Sequence, residues 1–252
     1  MNSVFIQHEV CPRCQKMGMD NAQDNLGVFS DGHKWCFSCG YYISSEGRNL
    51  TEVESKLKQQ QKENKYNDLC LPSDYTTILP ANTLEWLKRY GITNKEIITN
   101  RIGWSAFYEN LIFPVFDVSD NLLFYQGRSF SSNRDKPRYS TQGYAEKVFH
   151  IIGSDGTDIC VLVEDIISAI KVGRQISAMP LWGSNLSIER IIRLSKLTHN
   201  LVIWLDADKA TYAMSRRIRA LPYFESVRCV LSLNDPKEYN DEAIQRFLQN
   251  GK

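Results

Sequence analysis

Glu164 follows the apolar run ICVLV, Asp206 and Asp208 follow LVIWL as an Asp-Ala-Asp triplet, and Asp235 follows SVRCVLSLN. Acids at the carboxyl ends of neighbouring parallel strands converge on one spot, and the Asp-x-Asp spacing lets two carboxylates share a divalent ion. Magnesium and manganese both favour oxygen donors, and such an ion neutralises phosphates and assists departure of pyrophosphate in nucleotidyl transfer. A single strand-end acid is more simply a helix cap or a solvated loop residue; three successive strand ends weaken that reading. Asp165, beside Glu164, is expected to cap the following helix rather than to bind metal.

A second set of residues points to a different metal. Cys11-Pro12-Arg13-Cys14 and Cys36-Phe37-Ser38-Cys39 each present two thiols from one tight turn. Two such pairs in a short segment imply one tetrahedral zinc ion, whose binding supplies folding free energy that a segment poor in apolar residues cannot obtain by burial. A redox role fits poorly, because two matched pairs flank a hairpin pattern instead of one pair opening a helix. The other three of the seven cysteines, Cys70, Cys160 and Cys229, are expected to be ordinary buried residues.

Two polar stretches are candidates for nucleic-acid contact. The turn before the second cysteine pair displays Ser30, Asp31, Gly32, His33, Lys34 and Trp35, which could hydrogen-bond to base edges and stack on an unpaired base. They fit equally well as a solvated turn with Trp35 packed on the module, and composition alone leaves both readings open. The segment QGRSFSSNRDKPRYSTQG carries Arg128, Arg134, Lys136 and Arg138 against one acid, Asp135, with Phe130 and Tyr139 interleaved. Its cations could grip phosphates or form a plain solvated loop.

These groups need a scaffold, and the chain is long enough to build one. It has 252 residues, 42% of them hydrophobic, and a net charge of +1, so any nucleic-acid surface must be a local patch. No run approaches the roughly 18 apolar residues of a membrane span, and the N-terminus lacks a signal-peptide profile, so a soluble cytoplasmic protein is expected. Residues 1–43 read as the zinc module, and 44–69, nearly devoid of apolar residues, as a linker.

From residue 70 onward the pattern is α/β. Asn82 is placed to cap a helix through WLKRYG that ends at Gly91. LIFPVFDV and NLLFYQGRSF read as a hairpin, and the basic stretch as a loop. ICVLVE, LVIWLD and SVRCVLSL read as buried strands alternating with helices DIISAIKVGR, TYAMSRRIRAL and EAIQRFLQN. That alternation predicts a parallel sheet flanked by helices, with ligands at the carboxyl ends of the strands.

SVFIQHEVCPRC followed by VFSDGHKWCFSC resembles the template-recognition zinc ribbon of primases from small tailed bacteriophages. VLVEDIISA and VIWLDAD resemble the two signatures of the toprim fold, shared by bacterial and phage primases and by type IA and type II topoisomerases. NLIFPVFD, YQGR and KPRYS resemble the segment that precedes toprim in primases but not in topoisomerases. The resemblance implies a DNA primase, a DNA-directed RNA polymerase with an N-terminal subdomain at 70–155 and a toprim subdomain at 156–252. It implies metal binding and catalysis by Glu164, Asp206, Asp208 and Asp235, and handling of nucleotide and template by Arg128, Lys136 and Arg138. Asp31, His33 and Lys34 match positions that read template bases. The implied partners are single-stranded DNA, ribonucleoside triphosphates, and a separate replicative helicase and DNA polymerase. A separate helicase is expected because the stretch contains no G-x-x-x-x-G-K-[ST] loop.

The signature departs from its usual form in three places. Asp165 stands where Gly follows the glutamate, Ser168 where a further acid is common, and Lys209-Ala210-Thr211 where the turn more often holds Gly. The number of ions is therefore left open by the sequence. The rival readings are a toprim nuclease or topoisomerase, for whose extra tyrosine-bearing domain the chain has no length, and a noncatalytic nucleic-acid-binding module.

Overall fold

The structure, a computed structural model, describes residues 4–16, 18, 24–39, 41–45, 69–133, 135–153, 158–183 and 185–249. Most of the expected linker, 46–68, and Arg134 lie outside the described residues. The chain divides into two compact units, Met1–Asp68 and Leu69–Lys252. No helix among the described residues is long and apolar enough to cross a membrane.

The first unit is a four-stranded antiparallel sheet in sequential order, β1 (Phe5–Glu9), β2 (Leu26–Phe29), β3 (Lys34–Cys36) and β4 (Tyr42–Ile43), with one helical turn, α1 (Pro12–Lys16), after β1. The β2–β3 hairpin turns over Ser30 to His33, where Gly32 takes φ +85°, a left-handed value that suits glycine. Its buried core is Cys11, Cys14, Cys36 and a single aliphatic residue, Leu26. One leucine cannot offset the chain entropy of this sheet, so the sulfur cluster must do so.

The second unit joins two sheets. Helices α2 (Ala81–Arg89) and α3 (Asn94–Thr99) precede an antiparallel sheet of β5 (Gly103–Ser105), β6 (Asn110–Phe116), β7 (Leu122–Ser129) and β8 (Tyr139–Gly143). The expected β6–β7 hairpin forms, closed by Asp117, whose carboxylate accepts from the backbone N–H groups of Ser119 and Asn121. Asn82 does not cap α2; Pro80 holds that position, and Asn82 lies inside the first turn. The basic stretch is not wholly a loop either. Its ends are β7 and β8, paired from Arg128↔Tyr139 to Phe124↔Gly143.

The other sheet is parallel, in the order β10-β9-β11-β12. Its chain order is β9 (Ile159–Val163), α4 (Ile166–Gly173), β10 (Ala178–Pro180), α5 (Ile188–Leu194), β11 (Asn200–Ile203), α6 (Ala210–Ala220), β12 (Ser226–Cys229) and α7 (Asp241–Gln249). Strand side chains alternate between faces, and both faces are apolar here. Cys160, Leu162, Leu201 and Ile203 pack with Ile191 and Leu194 of α5 and Ala213 of α6. Val161, Val163, Val202 and Trp204 pack with Ala169 and Val172 of α4 and Ile244 of α7.

Two elements of this sheet, β10 and α5, had no counterpart in the sequence reading. β10 is only Ala-Met-Pro, tolerated because Pro180 ends an edge strand where no ladder N–H is required. The last strand is also shorter than expected: β12 stops at Cys229, and Leu231 and Leu233 are exposed. Cys160 is buried as expected and Cys229 partly so, whereas Cys70 is exposed, just ahead of the elements that could have covered it.

Candidate active site and metal centres

In the first unit the four cysteine sulfurs lie within 4.8 Å of one another, and Cys11–Cys39 and Cys14–Cys36 are 3.6 Å apart. Tetrahedral zinc with Zn–S bonds of about 2.3 Å requires S···S edges of about 3.8 Å, so the cage fits zinc. Each pair is shaped by its own backbone: the N–H of Cys14 points at Cys11 Sγ and that of Cys39 at Cys36 Sγ.

The hairpin turn beside this cage is ordered by its own side chains. His33 Nδ1 lies 2.6 Å from Asp31 Oδ1, and the His33 ring stacks on Phe29 at 4.2 Å between centroids. Lys34 Nζ donates to Glu9 Oε2 at 2.6 Å. Trp35, Phe37 and Phe5 remain exposed. The turn thus offers one fixed imidazole–carboxylate pair among aromatic rings.

In the second unit the parallel register brings β9 and β11 side by side, Ile203 opposite Leu162, and the pairing continues through Trp204 N–H to Leu162 O. Glu164 and Asp206 therefore emerge at adjacent strand ends. Burial pushes the Glu164 carboxyl above its ordinary value, with Lys209 opposing. Asp206 is pushed up to about 7 by burial, which outweighs the attraction of Lys237. Asp206 also feels the charge of Glu164, and Glu164 that of Asp208. Asp208 is exposed beside Lys209, 3.1 Å away.

Asp235 joins the group from the far edge strand. It opens a turn fixed by Pro236, and its Oδ1 accepts from the N–H of Ala207. Two residues on, Lys237 projects back into the acids. Its Nζ contacts Asp165 Oδ2 at 2.7 Å, Asp235 Oδ2 at 2.9 Å and Asp206 Oδ2 at 3.3 Å. Burial would lower this ammonium, but the carboxylates around it, Asp165 first, hold it above its usual value. For Asp235 burial acts upward, yet the Lys237 hydrogen bond wins and keeps its carboxyl low.

Asp165 caps α4 as expected, its Oδ1 accepting from Ser168 N–H, while its other oxygen holds Lys237. Ser168 itself is fully buried, its hydroxyl without a partner. Lys237 was not anticipated. A lone lysine two residues after an acid carries no sequence signal of its own; only the stiff Asp-Pro-Lys turn hinted at it.

Two carboxylate oxygens, Glu164 Oε2 and Asp206 Oδ1, are buried with no hydrogen-bond partner. Leaving such oxygens unpaired is costly, and a hard divalent cation is a partner both accept. The residues thus fit an oxygen-ligated ion at Glu164 and Asp206 with Asp208 alongside. The acids are not drawn as close together as the thiols: among the described residues, the cysteines are the group of metal-binding side chains with ligand atoms all within 4.8 Å.

Among the described residues, Arg128 is the cation of the basic stretch that is built into the fold. It is 8% exposed, and its guanidinium lies 4.1 Å from the Trp86 ring centre and 4.9 Å from that of Phe130. Burial pulls its pKa below the ordinary value, and its Nε has no partner. Tyr139 lies 6.0 Å away and, with Trp86 and Gln126, faces Asp165 and Lys237 across a narrow gap. Lys136 and Arg138 are exposed, the first 3.5 Å from Glu109 and the second beside Tyr139.

The architecture matches that of solved primases. The zinc-binding and RNA polymerase domains of Aquifex aeolicus primase align over 99% of this chain and 80% of that one, with a TM-score of 0.59 at 16% identity. A DNA primase domain from Pseudomonas aeruginosa aligns over 77% and 78%, with a TM-score of 0.57 at 16% identity. The E. coli primase catalytic core aligns over 68% and 74%, with a TM-score of 0.53 at 16% identity. No protein-family model and no curated protein sequence matches the chain. The fold is therefore that of the solved DnaG-type primases: a small antiparallel module carrying a four-cysteine cluster, followed by a larger unit with a parallel sheet flanked by helices.

Proposed function

We propose that this chain is a DNA primase that joins ribonucleoside triphosphates into short RNA primers on a single-stranded DNA template. The observation that carries the reading is the pair of partnerless buried oxygens on Glu164 and Asp206, at adjacent strand ends of a primase fold, in an acidic group whose Asp165 and Lys237 face Tyr139 across a narrow gap. Magnesium or manganese bound there would neutralise triphosphate charge and ease departure of pyrophosphate.

The protein's own residues do the rest by position and charge. Glu164, Asp206 and Asp208 hold the cation side of the centre, and Asp235 braces Asp206 through Lys237 and through the N–H of Ala207. Arg128, buried with its guanidinium 4.1 Å from the Trp86 ring centre, presents a held guanidinium to a phosphate, and that packing limits the rotamer entropy lost on binding. Lys136 and Arg138 lie exposed on the strip leading to Tyr139 and fit the template backbone. Asp31, His33 and Lys34 of the ribbon turn fit the edges of unpaired bases, with Trp35 as a stacking platform. A helicase and a DNA polymerase are partners in this reading, set in the cytoplasm of the cell where the genome is copied.

The test is to incubate the zinc-loaded protein with varied single-stranded templates, labelled ribonucleotides and magnesium or manganese, alongside supercoiled DNA. Short template-dependent RNA supports the reading. Cleavage or relaxation of the supercoiled DNA without RNA would favour a toprim nuclease or topoisomerase instead.

A further inference from the structure

Lys237 is held too firmly to be an incidental surface lysine. Pro236 fixes its turn, its carbonyl accepts from Lys171 Nζ at 2.8 Å, and its side chain is 13% exposed. An ammonium has three N–H donors. Here they match three carboxylate oxygens, one each from Asp165, Asp235 and Asp206, at 2.7, 2.9 and 3.3 Å. Magnesium requires oxygens at about 2.0–2.1 Å, so this cradle has the dimensions of an ammonium, and a divalent ion could enter only by expelling Lys237.

Asp206 divides its carboxylate between two tasks. Oδ2 faces Lys237, and Oδ1 is the buried oxygen without a partner, like Glu164 Oε2. One side of the centre therefore already has its cation, and the other asks for one. We propose that the Lys237 ammonium is a permanent cation of the acidic centre, taking the place a second divalent ion would fill, so that the chain binds a single such ion at Glu164 and Asp206. This rests on the primase reading for its chemistry, but the count of ions can be measured without it.

The experiment titrates Mn2+ into the zinc-loaded full chain and counts bound ions from the electron paramagnetic resonance of free Mn2+. The same count is made on Lys237→Met and on Lys237→Met/Asp165→Asn. The double change removes one positive and one negative charge, and Asn can still cap α4. One Mn2+ per wild-type chain and two per chain in a folded variant is the expected result. Two ions on the wild-type chain, none at millimolar Mn2+, or one ion on a variant that melts like the wild type overturns the proposal. Primer synthesis is assayed on the same samples. A wild-type chain that binds one ion and makes no RNA contradicts the primase reading and leaves the count standing, whereas one that makes RNA and binds two ions does the reverse.

Discussion

Arg174 clasps Glu96 with two parallel hydrogen bonds, Nε to Oε1 at 2.7 Å and Nη2 to Oε2 at 2.9 Å. The pair ties α4 of the parallel sheet to α3, which precedes the antiparallel sheet, and the same guanidinium reaches Asp241 of α7 and the carbonyl of Gly91. Glu96 meanwhile completes a capping box with Thr93. With both partners mostly buried, Arg174→Ala is expected to cost about 2 kcal/mol, between the exposed and buried regimes of ion pairs. Arg174→Lys should recover little, because an ammonium cannot make the two-pronged contact. Thermal melting of the second unit checks both.

The same pair sets a pH dependence. Burial acts to raise the Glu96 carboxyl, but the Arg174 guanidinium and the Thr93 bonds outweigh it and hold the pKa below the ordinary value. A depressed folded-state value means stability that is present above the unfolded pKa of about 4.3 and is lost as pH falls through the folded one. The difference in melting temperature between wild type and Glu96→Gln should be full at pH 6–7 and shrink below about pH 4. A difference that stays constant down to pH 3 would contradict this assignment.

The zinc cage makes a prediction confined to the first unit. Replacing Cys36, which is fully buried, by Ser should release zinc and unfold 4–45, since Leu26 alone cannot hold that sheet. The melting transition of 69–252 should be unchanged. Zinc content together with circular dichroism of the Cys36→Ser chain reads both.

Much of this was legible in the sequence because it depends on local spacing. Both cysteine pairs, the β6–β7 hairpin, the central strands ICVLV and LVIWL, and the Asp165 cap follow from patterns a few residues long. What escaped depends on partners far along the chain. Lys237 has meaning only when Asp165, 72 positions away, and Asp206, 31 away, fold around it. Arg128 fell in both the hairpin strand NLLFYQGRSF and the basic loop, and only the pairing with Tyr139 of β8, across the intervening turn, settles it in β7. The capping box Thr93-Asn94-Lys95-Glu96 was in plain view and would have located α3. β10 and α5 are too short for hydrophobic periodicity to declare them.

Arg128→Lys tests the cationic wall. The guanidinium lies over the Trp86 ring and close to Phe130, and lysine keeps the charge but loses the planar fork of donors. Primer synthesis is expected to fall at least about tenfold, equivalent to about 1.4 kcal/mol, with the melting temperature shifted by only a few degrees. Unchanged synthesis at limiting nucleotide would remove Arg128 from the site.

The ribbon turn should set template choice rather than rate. Asp31→Asn and His33→Ala disturb one imidazole–carboxylate pair without touching the sulfur cage. Each is expected to change which short template sequences support synthesis while leaving zinc content at one ion per chain. Identical template preference across a randomised single-stranded library would show that these side chains do not read bases.

The central claim is that carboxylates from adjacent strand ends join nucleotides. It is tested most directly by primer synthesis in the wild type, Glu164→Gln, Asp206→Asn and Asp208→Asn, with single-stranded DNA binding measured in parallel. Short RNA from the wild type, lost in each variant while DNA binding is retained, is the predicted result. RNA synthesis that survives the three substitutions, or is absent from the wild type with both magnesium and manganese, would contradict it.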